Sequence, residues 1–200
     1  MGSSHGKPAL RQEDIAALAK SSGLDEIQVK QSFDAFVAKH PGEKMRHGQI
    51  RSEDLRDMMA KAMPKKDASK MEKHVFRMYD TNTDGYVDFN EFMLTFFIMS
   101  DGTPEDVLKL IFRMFDVNSD GTITQKEMTK LIKDMYDLLK EEDPNLPARD
   151  LVAKSVFAEM DADKDGKVTV DEFVIACLDK GESSRMLALK VINIFVGGDA

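Results

Sequence analysis

Apolar positions along the chain form helical stripes that stop at an aspartate three times over. The runs are Val75-Phe76-Arg77-Met78-Tyr79-Asp80, Ile111-Phe112-Arg113-Met114-Phe115-Asp116 and Val156-Phe157-Ala158-Glu159-Met160-Asp161. A polar stretch holding one glycine follows each run, and then a second stripe begins: Phe92, Met93, Phe96 and Phe97 in the first case, Met128, Leu131, Ile132 and Met135 in the second. Apolar residues at three- and four-residue intervals mark one buried face of a helix, so the pattern predicts helix, loop, helix in triplicate. A β-branched residue inside each polar stretch (Val87, Ile123, Val168) suits a short strand pairing with a neighbouring loop. Thr103, Pro104 and Asp106 combine N-cap, first-turn proline and first-turn acid, which predicts a boundary between two lobes at Asp101-Gly102. A last stripe, Met186, Leu187, Leu189, Val191, Ile192 and Phe195, predicts an extra amphipathic helix over residues 182–195.

The three polar stretches share one spacing. Counted from the aspartate, they place Asp80, Asn82, Asp84, Tyr86, Asp88 and Glu91; Asp116, Asn118, Asp120, Thr122, Thr124 and Glu127; and Asp161, Asp163, Asp165, Lys167, Thr169 and Glu172 at positions 1, 3, 5, 7, 9 and 12. With Gly85, Gly121 and Gly166 at position 6, all three fit the D-x-[DN]-x-[DN]-G-x5-E calcium loop. Calcium takes six to eight oxygens at roughly 2.3 to 2.6 Å, and a tightly wound loop can converge oxygens from positions 1, 3 and 5 upon it. Position 7 gives only its backbone carbonyl, which is why Tyr86, Thr122 and Lys167 can differ. Glutamate at position 12 offers both oxygens and favours calcium over the octahedral preference of magnesium. Thr124 with Glu127 and Thr169 with Glu172 also have capping-box spacing, with Asp88 and Glu91 a weaker version, so the loop doubles as the start of the next helix. The plain alternative, an Asx-rich turn ahead of a helix, does not account for the flanking stripes. Helix, twelve-residue loop and helix make an EF-hand.

Such units come in couples, so three imply a fourth. Gln49-Ile50-Arg51, followed by Asp54 and Leu55, resembles positions 7 to 9 and the next helix, with the preceding helix at residues 32–36. Counting back from Ile50 leaves Glu43, Met45 and His47 where ligands belong, and Met45 and His47 are not hard oxygen donors. This first hand is expected to be structural but dead for calcium, with an insertion at Pro41-Gly42. His47, like His5, His40 and His74, is read as a solvent-facing loop residue rather than a transition-metal ligand, since no second His or Cys stands at chelating spacing. The expected fold is all-α: four EF-hands in two paired lobes, the first hand degenerate, with short loop-pairing β-ribbons and an extra C-terminal helix. The expected organisation is a flexible tail (residues 1–10), an N-terminal lobe (11–101), a C-terminal lobe (102–181) and a final helix and tail (182–200). An acidic linker marked by Pro144 and Pro147 lengthens the step from the third loop to the fourth.

Composition narrows the function. Among 200 residues, 36 Asp and Glu outweigh 28 Lys and Arg, for a formal charge of -8, which excludes a nucleic-acid binder working by phosphate neutralisation. Cys177 is alone and no signal-peptide pattern opens the chain, so a cytoplasmic setting is expected. The apolar run over residues 92–99 is far too short to cross a bilayer. No phosphate loop, nucleophile elbow or chelating histidine pair supports catalysis, so an enzyme is not expected. Methionine is abundant at 14 copies with no tryptophan, and flexible thioethers suit surfaces that fit apolar helices. Met58, Met59, Met63, Met93 and Met99 gather in the N-terminal half.

From about Phe33 to the terminal helix, the chain resembles the neuronal calcium sensor family, the group of recoverin, the visinin-like proteins and the guanylate cyclase activating proteins. A proline-glycine-bearing dead first loop, three intact loops, the long third-to-fourth linker and the extra terminal helix carry the likeness. His40-Pro41 stands where the family has a cysteine-proline pair, and Trp is absent. The resemblance implies a calcium sensor binding three calcium ions. It also implies an apolar groove for a target protein's helix, with Phe33 and Phe36 beside the methionines above. Membership often brings N-terminal myristoylation. Gly2 is the acceptor it requires, although Gly6 replaces the expected Ser or Thr, and lipidation would add membrane association. A passive calcium buffer and a constitutive regulatory subunit, resembling that of calcineurin, remain open alternatives. The terminal helix is open to two readings, a resident ligand of the groove or a cap on the C-terminal lobe.

Overall fold

The computed structural model describes residues 10–39, 49–64, 67, 69–139, 149–180 and 182–196. Gly2, His5, His40, His47, the Pro41-Gly42 insertion and the linker with Pro144 and Pro147 lie outside these, as do the side chains of Phe36 and Phe195.

Helices α1 (Gln12–Ser22) and α2 (Glu26–Lys39) are separated by Gly23, whose φ of 69° closes α1 in a left-handed cap. Helix α1 was not foreseen; its Ile15 and Leu18 are buried, and it packs on α2 and on α5 (Phe89–Asp101). Helices α3 (Ser52–Ala62) and α4 (Glu72–Tyr79) precede the second loop, and α6 (Pro104–Phe115) leads into the third. Strand β1 (Thr122–Thr124) and α7 (Gln125–Leu139) follow. The fourth hand is α8 (Arg149–Met160), β2 (Lys167–Thr169) and α9 (Val170–Ile175), which continues as a π-helical turn, Ala176–Lys180. Helix α10 (Glu182–Val196) ends the described chain.

Local chemistry sets the starts of the outgoing helices. Asp88 and Glu91 form a full capping box at α5, stronger than their spacing suggests, and Thr169 with Glu172 does the same at α9. Thr103 caps α6 with Pro104 in its first turn. Between α5 and α6 the chain passes so close to itself that a Cβ on Gly102 would meet the Ile98 carbonyl oxygen at 2.4 Å, so only glycine fits.

Helix α6 sits at the centre, with α4, α5, α7 and α9 all packed against it, and Leu108, Leu110, Ile111, Phe112, Met114 and Phe115 are buried around it. Phe173 of α9 meets Phe112 edge-on at 5.7 Å and Phe115 at the same distance. Loops pair as expected. Ile123 opposes Val168 in the antiparallel β1–β2 ribbon, and in the first pair of hands Ile50 bridges Val87 by two backbone hydrogen bonds of 2.7 and 2.8 Å. Ile50 thus pairs across to position 8 of the second loop, the place expected for it in the first hand.

Helix α10 lies on α8, on the π-helical turn and on the edge of α6. Leu187, Ala188 and Val191 face inward, while Met186 and Leu189 are about half exposed. Ser184, fully buried, donates its amide and hydroxyl to Glu159 at 3.0 and 2.9 Å, fixing the helix start. Burial, with the Glu159 charge nearby, pushes the Cys177 thiol up to about 12, so it stays protonated and inert. Among the described residues no helix is long and apolar enough to cross a membrane.

One expectation is overturned. His74 is not a solvent-facing loop residue: it lies on α4, 1% exposed, with its ring nitrogens 2.9 Å from the Met114 carbonyl and 2.9 Å from the Asp134 carboxylate. A histidine flanked by Lys73 and Val75 on a short helix reads as surface. The packing of α6 and α7 over that face buries it.

Candidate metal centres

The three loops repeat one hydrogen-bond plan. At position 1, Asp80 Oδ2 accepts from Gly85 N at 3.1 Å, Asp116 Oδ2 from Gly121 N at 2.9 Å and Asp161 Oδ2 from Gly166 N at 3.2 Å. At position 3, Asn82 and Asn118 Oδ1 accept from the amides of Asp84 and Asp120, and Asp163 Oδ1 from that of Asp165. At position 5, Asp84, Asp120 and Asp165 accept from the amides of Tyr86, Thr122 and Lys167 at 2.9, 2.9 and 2.8 Å. Asp80 and Asp116 give their second oxygen to the turn as well, Oδ1 accepting from the amides of Asp84 and Asp120 at 3.2 and 3.1 Å, so the backbone fixes their placement.

Such winding needs left-handed backbone at two places. The position-6 glycines have φ of 84°, 82° and 87°, in the region that favours a residue without Cβ. Position 4 is left-handed as well, with Thr83, Ser119 and Lys164 at φ of 58°, 57° and 61°. That second requirement left no mark in the sequence, because side chains there vary freely.

Position 12 closes each loop. Glu91, Glu127 and Glu172 each use Oε1 to accept from the amide of loop residue 2, at 2.9 Å from Thr81, 3.1 Å from Val117 and 3.1 Å from Ala162. Their Oε2 atoms accept from the amides of Asp88, Thr124 and Thr169. One carboxylate therefore ties the mouth of the loop to the first turn of the outgoing helix.

Electrostatics in the loops follows burial and donors. Burial holds the Asp80 carboxyl above the usual carboxylate range, with Glu91 and Asp84 pushing the same way against the Gly85 amide. At Glu172 burial also pushes upward, but the Thr169 donors and the amides of Asp163 and Ala162 outweigh it, and the net shift is downward. Hydrogen bonds from Thr122 and Asn118 lower Asp120.

The fourth loop provides the test of fit to a cation. Asp161 Oδ1 is buried with no hydrogen-bond partner, and oxygens of Asp161, Asp163 and Asp165 all lie within 4.8 Å of one another. Two oxygens on opposite sides of one calcium ion stand about 4.6 to 5.2 Å apart, so this spacing suits a shared ion. An orphaned buried carboxylate oxygen is costly without a positive partner.

The groove candidates lie mostly inside the core. Phe33, Met59 and Met93 are buried, with Phe33 edge-on to Phe89 at 5.0 Å. Met58, Met63 and Met99 are partly buried against them, and Phe36 falls on α2. Leu94 and Phe96 of α5 are exposed at 41% and 52%, and sequence reasoning did not single out Leu94.

Two matches to family models, each described as an EF-hand domain pair, cover residues 46–98 and 105–178. The first takes in Ile50 and α3, the outgoing half of the first hand. Neuronal calcium sensor 1 of Aplysia californica is 32% identical over 170 residues, covering 82% of this chain and 85% of its own length. Neuronal calcium sensor 1 of Lymnaea stagnalis is 31% identical over 170 residues, with the same coverage.

Proposed function

This chain belongs to the neuronal calcium sensor family of EF-hand proteins, and we propose that it binds three calcium ions and regulates a target protein through an apolar, Met-rich groove. The shared hydrogen-bond plan of the three loops, with the orphaned Asp161 oxygen at the mouth of one, is the observation that carries this reading.

Asp80, Asn82, Asp84, Asp88 and Glu91 would hold the first ion with the Tyr86 carbonyl. Asp116, Asn118, Asp120, Thr124 and Glu127 with the Thr122 carbonyl, and Asp161, Asp163, Asp165, Thr169 and Glu172 with the Lys167 carbonyl, would hold the others. A bound calcium ion supplies two positive charges against each cluster of carboxylates. Glu91, Glu127 and Glu172 sit in the first turn of α5, α7 and α9, so any turn of these carboxylates toward the loop centre is felt by the whole outgoing helix. Met93 follows Glu91 closely and is buried at 5% exposure. Movement of α5 would uncover Met93, Met59 and Phe33, with Met58, Met63 and Met99 at the rim and Phe36 further along α2.

The lobes in this reading are residues 11–101 and 102–181, and the protein acts in the cytoplasm by binding, not by catalysis. Gly2 is the proposed myristoyl acceptor for a membrane-associated form. Calorimetric titration with calcium, paired with an apolar dye, tests the reading: three ions in the sensor range of roughly 10⁻⁷ to 10⁻⁵ M and a rise in dye binding are expected. Three ions without any rise would mark a passive buffer, and no binding would remove calcium sensing altogether.

A further inference from the structure

Helices α4 and α6 enter the second and third loops in the same register, with Arg77 three residues before Asp80 and Arg113 three residues before Asp116. Each arginine reaches across to the other hand. Arg113 donates from Nη2 to the Asp80 carbonyl at 2.6 Å and from Nε to the Arg77 carbonyl at 3.2 Å. Arg77 donates from Nη2 to the Met114 carbonyl at 2.9 Å. The backbone at the mouth of each loop is thus held by a side chain from the helix that feeds the other. The fourth hand has Ala158 in the same register, so it does not share the crossing of hands two and three.

The charges cross as well. Arg113 faces the carboxylates of Asp80 and Glu91 in the second loop along with Asp116, while Arg77 faces Asp116 and Glu127 in the third. Neither guanidinium forms an ion pair among the described residues, and Arg77 Nε is buried without a hydrogen-bond partner. Two half-buried cations spent on neutral groups, the carbonyls above and, for Arg77, His74 Nδ1 at 2.7 Å, hold an interface less well than apolar side chains of the same size would. What they add is a connection between the two candidate ion sites that apolar packing cannot make.

We propose that Arg77 and Arg113 are positioning residues that couple the second and third loops across the lobe boundary, so that a cation in either loop tightens binding in the other. The proposal rests on the calcium-binding reading above. Asp80 and Glu91 help hold the Arg113 guanidinium in place. Once their charge is offset, Arg113 releases the mouth of the second loop and α6 with it. The third loop then closes on its own ion without first breaking that contact, and the same exchange runs through Arg77 in reverse. Coupling of this kind is reciprocal, on the order of fivefold or more in affinity.

Tyr86 permits a site-resolved test. It stands at position 7 of the second loop, where the third and fourth have Thr122 and Lys167, so terbium luminescence excited through tyrosine reports the second loop, with Tyr86→Phe as the control. Terbium affinity is measured in the full chain, in Glu127→Gln, in Arg77→Gln/Arg113→Gln, and in the combination, with a melting curve for each. Disabling the third loop should weaken the second by about fivefold or more in the parent protein and leave it unchanged without the arginines. An equal effect in both backgrounds, or none in the parent, overturns the coupling. Should the glutamine pair fail to melt cooperatively, Arg77→Lys/Arg113→Lys keeps the charge but loses the fork by which Arg113 reaches the Asp80 and Arg77 carbonyls together. Loss of the effect there supports the proposal, and full retention overturns it. A parent protein with no tyrosine-sensitised signal overturns the calcium-site reading itself, and the coupling falls with it.

Discussion

His74 Nε2 lies 2.9 Å from the Asp134 carboxylate, which joins α4 of the second hand to α7 of the third. On the other side of the ring, Nδ1 is 2.7 Å from Arg77 Nη2 and 2.9 Å from the Met114 carbonyl of α6. A neutral ring protonated on Nε2 donates to Asp134 and accepts from Arg77 at Nδ1, and the Met114 carbonyl is then served by Arg77 Nη2 at 2.9 Å rather than by the ring. Burial lowers the His74 pKa from its ordinary 6.5, the Met114 and Asp134 hydrogen bonds oppose that shift, and the charges of Arg77 and Lys130 add to it.

Stability should therefore fall as pH drops. The unfolded chain takes up the proton near the ordinary value while folded His74 resists it, so stability declines through about 6.5 and levels off below the folded value. Urea unfolding at pH 8 and pH 5.5, compared with His74→Gln, isolates this contribution. Equal pH slopes in the two proteins would refute it.

Replacing Glu91, Glu127 or Glu172 with Gln should each remove one calcium ion from the calorimetric stoichiometry, weakening that site on the order of 100-fold. Glu91→Gln should damage target regulation most, because the proposed groove adjoins α5. Asp54→Asn in the degenerate hand should leave the ion count unchanged.

Ending the chain after residue 181 should cost roughly 4 kcal/mol or more, from Leu187, Ala188 and Val191 leaving their seat on α8 and the π-helical turn. Urea titration of the truncated protein measures it. A loss below about 1 kcal/mol would return α10 to the role of a loosely held groove ligand.

Phe173→Ala should lower stability by about 3–5 kcal/mol, since the ring is 1% exposed between Phe112 and Phe115. The volume-sparing Phe173→Leu should cost clearly less. Equal costs would mean the site collapses around either side chain.

The loops were legible because calcium chemistry leaves little freedom: oxygen donors at fixed places, glycine at the sharp turn and glutamate at the helix entry. The degenerate hand was legible from Gln49-Ile50-Arg51 with Asp54 and Leu55, since pairing with Val87 calls for a β-branched residue at Ile50 whatever the ligands. Helix α1 was not, because its stripe is thin, with Ile15 and Leu18 its only fully buried residues among those described. The crossed arginines and the buried His74 were also hidden. Each depends on which helix lies opposite, and an arginine or histidine on an amphipathic stretch has the same local signature whether it meets solvent or a neighbour's carbonyl.

The two backbone bonds between Ile50 and Val87 give the second loop a neighbour of fixed shape. The third and fourth loops brace each other through β1 and β2, and both partners in that brace carry the full calcium-loop sequence pattern. If the first hand is dead for calcium, as its sequence predicts, the second loop leans on an abutment that no ion can move. A duplicated unit without ligands would then serve as a wall, and with it would go the ordinary source of steepness within a lobe. Any sharpness in the second loop's response must come from outside its own pair, and the side chains that reach its mouth from the other lobe are those of α6.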